Sequence, residues 1–216
     1  VPRIMNVLLV GCGKKFGRAI LDSLLERGHT VHSISSEQID GVNNINVNWA
    51  TLNPAMVEKQ LQHLPAIDFV FFNHNGSALG PQSFNNLSTL ELWKLGKQWS
   101  QQYYNSVIFP FHLLQSIQLD AEAVVAWMVS SYVYNHADIT YTDYIGNKYQ
   151  SYLIMKQFSN TDKASFCGVN PDSLYDADVQ PGEFIEGMYK LDRQILNGTV
   201  ICFDYTKDMN FDKFNV

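Results

Sequence analysis

A doubly wound parallel α/β sheet of about seven strands, with helices on both faces, is the fold class this sequence predicts. Three observations predict it. Short apolar runs alternate with helix-period stretches along nearly the whole chain. The first run leads directly into a glycine-rich turn and a helix. Several runs, such as Asp68–Asn73 and Val125–Val129, are apolar almost throughout, as strands covered on both faces are.

The elements follow in order. Met5–Val10 is the first strand, Gly11-Cys-Gly13-Lys-Lys-Phe-Gly17 the turn, and Arg18–Arg27 a helix that stops at Gly28. Thr30–Ile34 is the second strand and Asn44–Trp49 the third. Pro54–Leu64 reads as a short helix carrying Met56, Val57 and Leu61, and Asp68–Asn73 as the fourth strand. Ser88–Ser116 is the longest helical pattern, and Pro110 is expected to kink it. Ala123–Ser130 is the fifth strand, Tyr141–Ser159 a helix, and Ser165–Val169 the sixth strand. Phe184–Leu196 is helical, and Thr199–Asp204 is the last strand.

At 216 residues and 46% apolar content, the chain fits one domain with a sizeable core. Val1-Pro-Arg3, ahead of Met5, is set aside as a remnant of expression. A net charge of -6 argues against nucleic acid or anionic membrane as partner, since both call for a basic face. No apolar run reaches the roughly 18 residues of a membrane helix. Cys12, Cys167 and Cys202 are far apart and sit in or beside apolar runs, so they read as reduced core thiols of a cytoplasmic protein. Three glycosylation-type triplets, at Asn75, Asn86 and Asn197, are taken as chance. His74 has no His or Cys at metal-binding spacing, so no metal is expected.

The chemistry concentrates in two places. Bare backbone in the Gly11–Gly17 turn lets a pyrophosphate approach amides at a helix N-terminus. Farther on, Ser130-Ser131 close the fifth strand, Tyr144 follows Ser131 by thirteen positions, and Lys148 comes four later. That last spacing places phenol and ammonium on one helical face. A free tyrosine titrates near ~10, and a neighbouring positive charge favours its phenolate, making it a usable acid or base. Tyrosine and lysine four apart are common on ordinary amphipathic helices; their company with Ser131 and the glycine turn is what gives the pair weight.

This combination resembles the short-chain dehydrogenase/reductase family, whose fold is of the Rossmann type. The turn Gly11 to Gly17-Arg-Ala-Ile20 is similar to its first-turn motif, and Asn73-His-Asn-Gly76 to its Asn-Asn-Ala-Gly. Ser131, Tyr144 and Lys148 stand at its catalytic spacing, and Val169-Asn-Pro171 resembles its Pro-Gly segment after the sixth strand. By this resemblance Tyr144 exchanges a proton with a carbonyl or alcohol oxygen, Ser131 orients that oxygen, and Lys148 lowers the Tyr pKa and holds the nicotinamide ribose. Gly11, Gly13, Phe16 and Gly17 would line the pyrophosphate, and Asn73, His74, Asn75 and Gly76 the adenosine side, with Asn48 also among the cofactor residues. A fourth catalytic residue, an asparagine, belongs in the long helix. Asn105 fits by residue type and by distance to Ser131, whereas helix phasing against Phe111 and Gln115 favours Ser106; Asn105 is the assignment taken.

The second strand ends Ser33-Ile-Ser35-Ser36 with no acid before Glu37, and Lys14 and Lys15 add positive charge in the turn. Both features lean towards NADP(H) over NAD(H), with Ser35 and Ser36 facing the adenosine 2′-phosphate. Departures stand beside these matches. Lys15 replaces the middle glycine of the family turn, Asp172 follows Pro171 in place of glycine, and only nine residues separate Pro171 from Pro181. The expected function is therefore an NADP(H)-dependent oxidoreductase acting on a small carbonyl or alcohol. The alternative is a sensor or scaffold that binds NADP(H) without turnover. The resemblance also implies a homodimer or homotetramer packed through the two central helices. Residues 135–142 and 174–184 are expected to set substrate choice, with Tyr134, His136, Tyr141 and Tyr175 suited to a flat or aromatic molecule.

Overall fold

The computed structural model describes residues 3–13, 15–73, 87–129, 142–171 and 181–203. Within them the strands are β1 (Asn6–Val10), β2 (Thr30–Ser35), β3 (Asn43–Asn46), β4 (Ile67–Phe72), β5 (Leu119–Met128), β6 (Ser165–Pro171) and β7 (Val200–Phe203). They form one sheet in the order β3-β2-β1-β4-β5-β6-β7, and every neighbouring pair is parallel. The helices are α1 (Lys15–Glu26), α2 (Pro54–Leu61), α3 (Thr89–Tyr103), α4 (Phe109–Ser116), α5 (Thr142–Phe158), α6 (Pro181–Lys190) and α7 (Arg193–Leu196).

Alternation along a strand explains why these runs are mostly apolar. Val7 and Leu9 of β1 enter the core shared with Ile20, Leu24, Phe184 and Met188, which belong to α1 and α6. Leu8 and Val10 enter the core on the other face with Val57, Leu113, Tyr152 and Met155, from α2, α4 and α5. A strand with helices on both faces has no solvent-facing side, so its residues are mostly apolar, and polar ones such as Asp68, Ser33 and Ser35 are hydrogen-bonded. The order of strands also fixes where the sheet can hold a ligand: connections diverge between β1 and β4, so the carboxyl ends of those strands face an open crevice.

Several boundaries differ from the sequence expectation. The third strand ends at Asn46 and not at Trp49, because Asn48 accepts the Ala50 N–H (3.0 Å) and starts a 3₁₀ turn over Trp49–Thr51. Helix α2 stops at Leu61. Strand β5 begins at Leu119, with its register to β4 broken between the Ile67 and Phe69 pairs. The pattern over Phe184–Leu196 is two helices: Asp192 caps α7 by accepting the Gln194 N–H at 2.8 Å, while α6 starts earlier, at Pro181. In the long helical stretch the irregularity precedes Pro110: Tyr104–Ile108 form a π turn between α3 and α4. Arg3, set aside above, is tied to the fold by a 2.6 Å ion pair with the buried Asp68.

Helix α6 is clamped to α1. Arg27 reaches Glu186 through two nitrogens at 2.7 and 2.6 Å, and the Gly182 N–H donates to Ser23 Oγ at 3.0 Å. His29 accepts the Met5 N–H on Nδ1 (3.2 Å), which leaves Nε2 to donate to Glu186 at 2.8 Å. The Arg27 guanidinium, helped by His29, holds the Glu186 carboxyl down at about 2. The helix that follows the glycine turn and the one that follows residues 172–180 are thus bonded to each other.

Candidate active site

The site begins where β1 ends. Gly11 adopts φ +83°, a conformation that glycine takes without strain, and its N–H donates to the Ile34 carbonyl at 2.8 Å. Asn73, at the end of β4, donates its backbone N–H to Val10 and its Nδ2 to the Gly11 carbonyl, both at 2.9 Å. This bond sets the turn against the β1–β4 crevice. Gly17 lies so close that a Cβ there would stand 2.6 Å from Asn73 Nδ2, 2.6 Å from the Gly11 carbonyl oxygen and 2.7 Å from Cys12 Cα. Helix α1 carries no acid in its first turn. Its free N–H groups and the positive end of its dipole therefore suit an anion. Bare backbone, close approach and an acid-free helix start all fit the pyrophosphate of a dinucleotide. Gly11, Gly13 and Gly17 would hold it, with the half-buried Phe16 beneath.

The adenosine end differs from its sequence reading. Glu37 lies against the turn: its Cβ and Cγ are 3.3 Å from where a Gly13 Cβ would be. Ser35 is buried, and its hydroxyl donates to the Glu37 carbonyl (2.6 Å) while accepting the Glu37 N–H (3.1 Å). Asn44 adds a bond to the same carbonyl at 3.1 Å. Ser35 therefore supports Glu37 from inside, and Ser36 is exposed. Arg18, bound to Asp22 at 2.9 and 3.0 Å, also feels the Glu37 charge. Glu37 and Arg18 are the charged residues that sequence reasoning left out of the site. Their signal was short range: one stands two residues past a strand end and the other directly follows Gly17. Lys14, His74, Asn75 and Gly76 lie outside the described residues, as does the side chain of Lys15.

The third component comes from α5. Lys148 is 5% exposed, and its ammonium donates to the Met128 carbonyl at 2.7 Å, at the carboxyl end of β5. Burial lowers its pKa to about 7. Tyr144 belongs to the first turn of the same helix; its side chain lies outside the described residues, as do Ser131 and the loop aromatics Tyr134, His136, Tyr141 and Tyr175.

Asn105 stands in the π turn with its amide engaged at both ends. Nδ2 donates to the Trp49 carbonyl at 2.8 Å, and Oδ1 accepts from Gln101 at 3.0 Å. It is buried, and these two bonds shape the turn. Asn48 is exposed and caps the 3₁₀ turn beside it. Among the described residues no group of three or more His, Cys, Asp or Glu is placed to hold a metal ion, and no helix is long and apolar enough to cross a membrane.

No family model and no curated protein matches this sequence. Solved structures do match in fold. A short chain dehydrogenase family protein from Francisella tularensis superposes with a TM-score of 0.71 at 16% identity, covering 94% of this chain and 99% of the other. A short-chain dehydrogenase/reductase from Serratia marcescens gives 0.70 at 15% identity, covering 94% and 98%. BdcA, in complex with NADPH, gives 0.73 at 12% identity, covering 93% of each. The seven-stranded parallel sheet described here is the fold of the short-chain dehydrogenases/reductases.

Proposed function

We propose that this chain is an NADP(H)-dependent oxidoreductase acting on a small carbonyl or alcohol. The observation that carries the reading is Lys148, a buried ammonium held at the carboxyl end of β5, one helical turn after a tyrosine and beside the crevice where the sheet would take a dinucleotide. When bound, the nicotinamide supplies or accepts the hydride. Tyr144 gives the substrate oxygen its proton, or takes it in the reverse direction, and Ser131 orients that oxygen. Lys148 favours the Tyr144 phenolate and holds the nicotinamide ribose. Asn105 acts at a distance, by shaping the π turn.

The preference for the phosphorylated cofactor rests on charge. Lys14, Lys15 and Arg18 stand in and just after the turn in sequence, Glu37 lies against Gly13, and the exposed Ser36 directly follows β2. The NADPH carried by BdcA, which shares the fold, is consistent with this. Fluorescence titration is expected to show tighter binding of NADPH than NADH, and Glu37→Gln is expected to widen the difference several-fold by removing the charge that repels a 2′-phosphate. Tyr144→Phe is expected to keep NADPH affinity while turnover on a carbonyl panel falls by roughly two to four orders of magnitude. Tighter NADH binding would refute the cofactor assignment. NADPH binding with no turnover by the unaltered chain would leave a sensor or scaffold.

A homodimer or homotetramer and a cytoplasmic location complete the proposal. Leu90 and Trp93 of α3 and Tyr149 and Leu153 of α5 are exposed on the two helices the family uses for assembly, while Cys12 and Cys167 are free buried thiols. Sedimentation at micromolar concentration is expected to give a dimer or larger species, and Trp93→Lys combined with Leu153→Lys a monomer.

A further inference from the structure

Proline chemistry leaves one vacancy in the long helical stretch. Pro110 has no N–H, so the carbonyl four residues earlier, that of Ser106, has no α-helical donor. Around it the helix widens: Tyr104–Ile108 form the π turn, and the Phe109 N–H bonds the Tyr104 carbonyl, five residues back. The Ser106 carbonyl receives a donor from a different helix, the Ser151 hydroxyl of α5, at 3.2 Å. The Ser151 hydroxyl reaches this carbonyl from across the interface between the two helices.

Ser151 is 4% exposed and stands three residues after Lys148, so both side chains leave α5 on one face. Helix α5 is therefore pinned at two points within one turn: by Lys148 to the Met128 carbonyl (2.7 Å) and by Ser151 to the Ser106 carbonyl. The anchor is itself braced, since the neighbouring Asn105 donates to the Trp49 carbonyl at 2.8 Å and the Trp49 ring packs edge-on to Phe109 at 6.0 Å. Bonds thus run from the turn after β3, across the π turn, to the helix that carries Tyr144 and Lys148.

We propose that Ser151 is a positioning residue: seated on the carbonyl that Pro110 leaves without a helical donor, its hydroxyl sets the height of α5 and so the place of Lys148 against β5. The effect on turnover rests on the oxidoreductase reading above; the geometric effect does not. Crystal structures and kinetics of Ser151→Ala and Ser151→Thr test both parts. With alanine, the Lys148 Nζ to Met128 O distance is expected to open beyond hydrogen-bond reach. Turnover number would fall about ten- to a hundredfold, the upper end being what a misplacement of about 1 Å can cause, with KM for the carbonyl within about twofold. With threonine, which keeps the hydroxyl, distance and turnover number are expected to return to those of the unaltered chain. An alanine variant with Lys148 still on Met128 overturns the proposal, and so does a displaced Lys148 with an unaltered turnover number. A displaced Lys148 in a chain whose unaltered form reduces no carbonyl with NADPH would instead sink the oxidoreductase reading and leave the positioning role standing.

Discussion

Lys148→Met is expected to make the protein more stable and less active at once. The amine is buried, and desolvation lowers its pKa from 10.5 to about 7. Each pH unit of that gap corresponds to about 1.4 kcal/mol, so the cost of holding this lysine at neutral pH has an upper bound near 5 kcal/mol. Methionine fills a similar volume without a charge to desolvate. Losing the donor to Met128 takes back about 1 kcal/mol, and imperfect repacking a similar amount, which leaves a net gain of at most about 3 kcal/mol. For a chain of this length that raises Tm by up to roughly 6–12 °C.

The sign with pH follows from which state holds the proton. The native chain releases the Lys148 proton near pH 7, while the unfolded chain keeps it to ~10.5. Between those values the unfolded state binds more protons, so the stability of the unaltered chain rises with pH. Below about 7 both states are protonated and the full cost is present. The advantage of the methionine variant is therefore largest at pH 6–7 and shrinks towards pH 10, which denaturant titrations at the two ends would measure. Turnover is expected to fall at least about a hundredfold, because Tyr144 loses the charge that favours its phenolate. A methionine variant less stable than the unaltered chain at pH 6 would mean that Lys148 is not held desolvated.

The parts of this fold legible in the sequence are those where one local rule acts alone. A strand buried on both faces is mostly apolar, and β1 after Asn6, β4 apart from Asp68 and the second half of β5 are. A strand-to-helix turn that brings backbone within van der Waals distance of backbone must use glycine, and Gly11 and Gly17 mark it. The four-residue spacing of Tyr144 and Lys148 placed both on α5, and Lys148 reaches the strand end.

What was not legible depends on residues distant in sequence or on departures from a fixed period. Helix phasing set Asn105 against Ser106 as alternatives, because counting 3.6 residues per turn from Phe111 presumes an unbroken helix. The π turn inserts an extra residue within that count, and the structure uses both: the Asn105 side chain bonds Trp49, and the Ser106 carbonyl takes Ser151. Proline marked the region, but the partner that answers it lies 45 residues away. Glu37 read as an acid beyond the end of β2. Its return onto Gly13 is produced by the Ser35 hydroxyl and the Asn44 amide, a local side-chain network that no hydrophobic pattern encodes. The break between α6 and α7 has the same cause on a smaller scale, since Asp192 competes with helix continuation by capping its successor.

Gly17→Ala is expected to be the most damaging single methyl group that can be added near the site. In a helix interior alanine is ordinarily worth about 1 kcal/mol over glycine. Here the new Cβ would stand 2.6–2.7 Å from the Gly11 carbonyl oxygen, Cys12 Cα and Asn73 Nδ2. Two of those neighbours are backbone, so relief requires α1 to move away from the β1 turn and strains the Asn73–Gly11 bond. Overpacking of this kind costs typically 1–3 kcal/mol, and the partial loss of a buried hydrogen bond about 1 more. The clash outweighs the propensity gain, for a net loss of about 2 kcal/mol and a Tm lower by roughly 4–8 °C. Dinucleotide affinity should fall further than stability, because the same displacement moves the helix N-terminus from the place where a pyrophosphate would meet it. Gly96→Ala provides the control: Gly96 is an exposed position of α3 with nothing within 4 Å of its would-be Cβ, and it should gain close to the full 1 kcal/mol. Were Gly17→Ala to gain stability alongside Gly96→Ala, the close contact between α1 and the β1 turn would be absent, and with it the cradle on which dinucleotide binding depends.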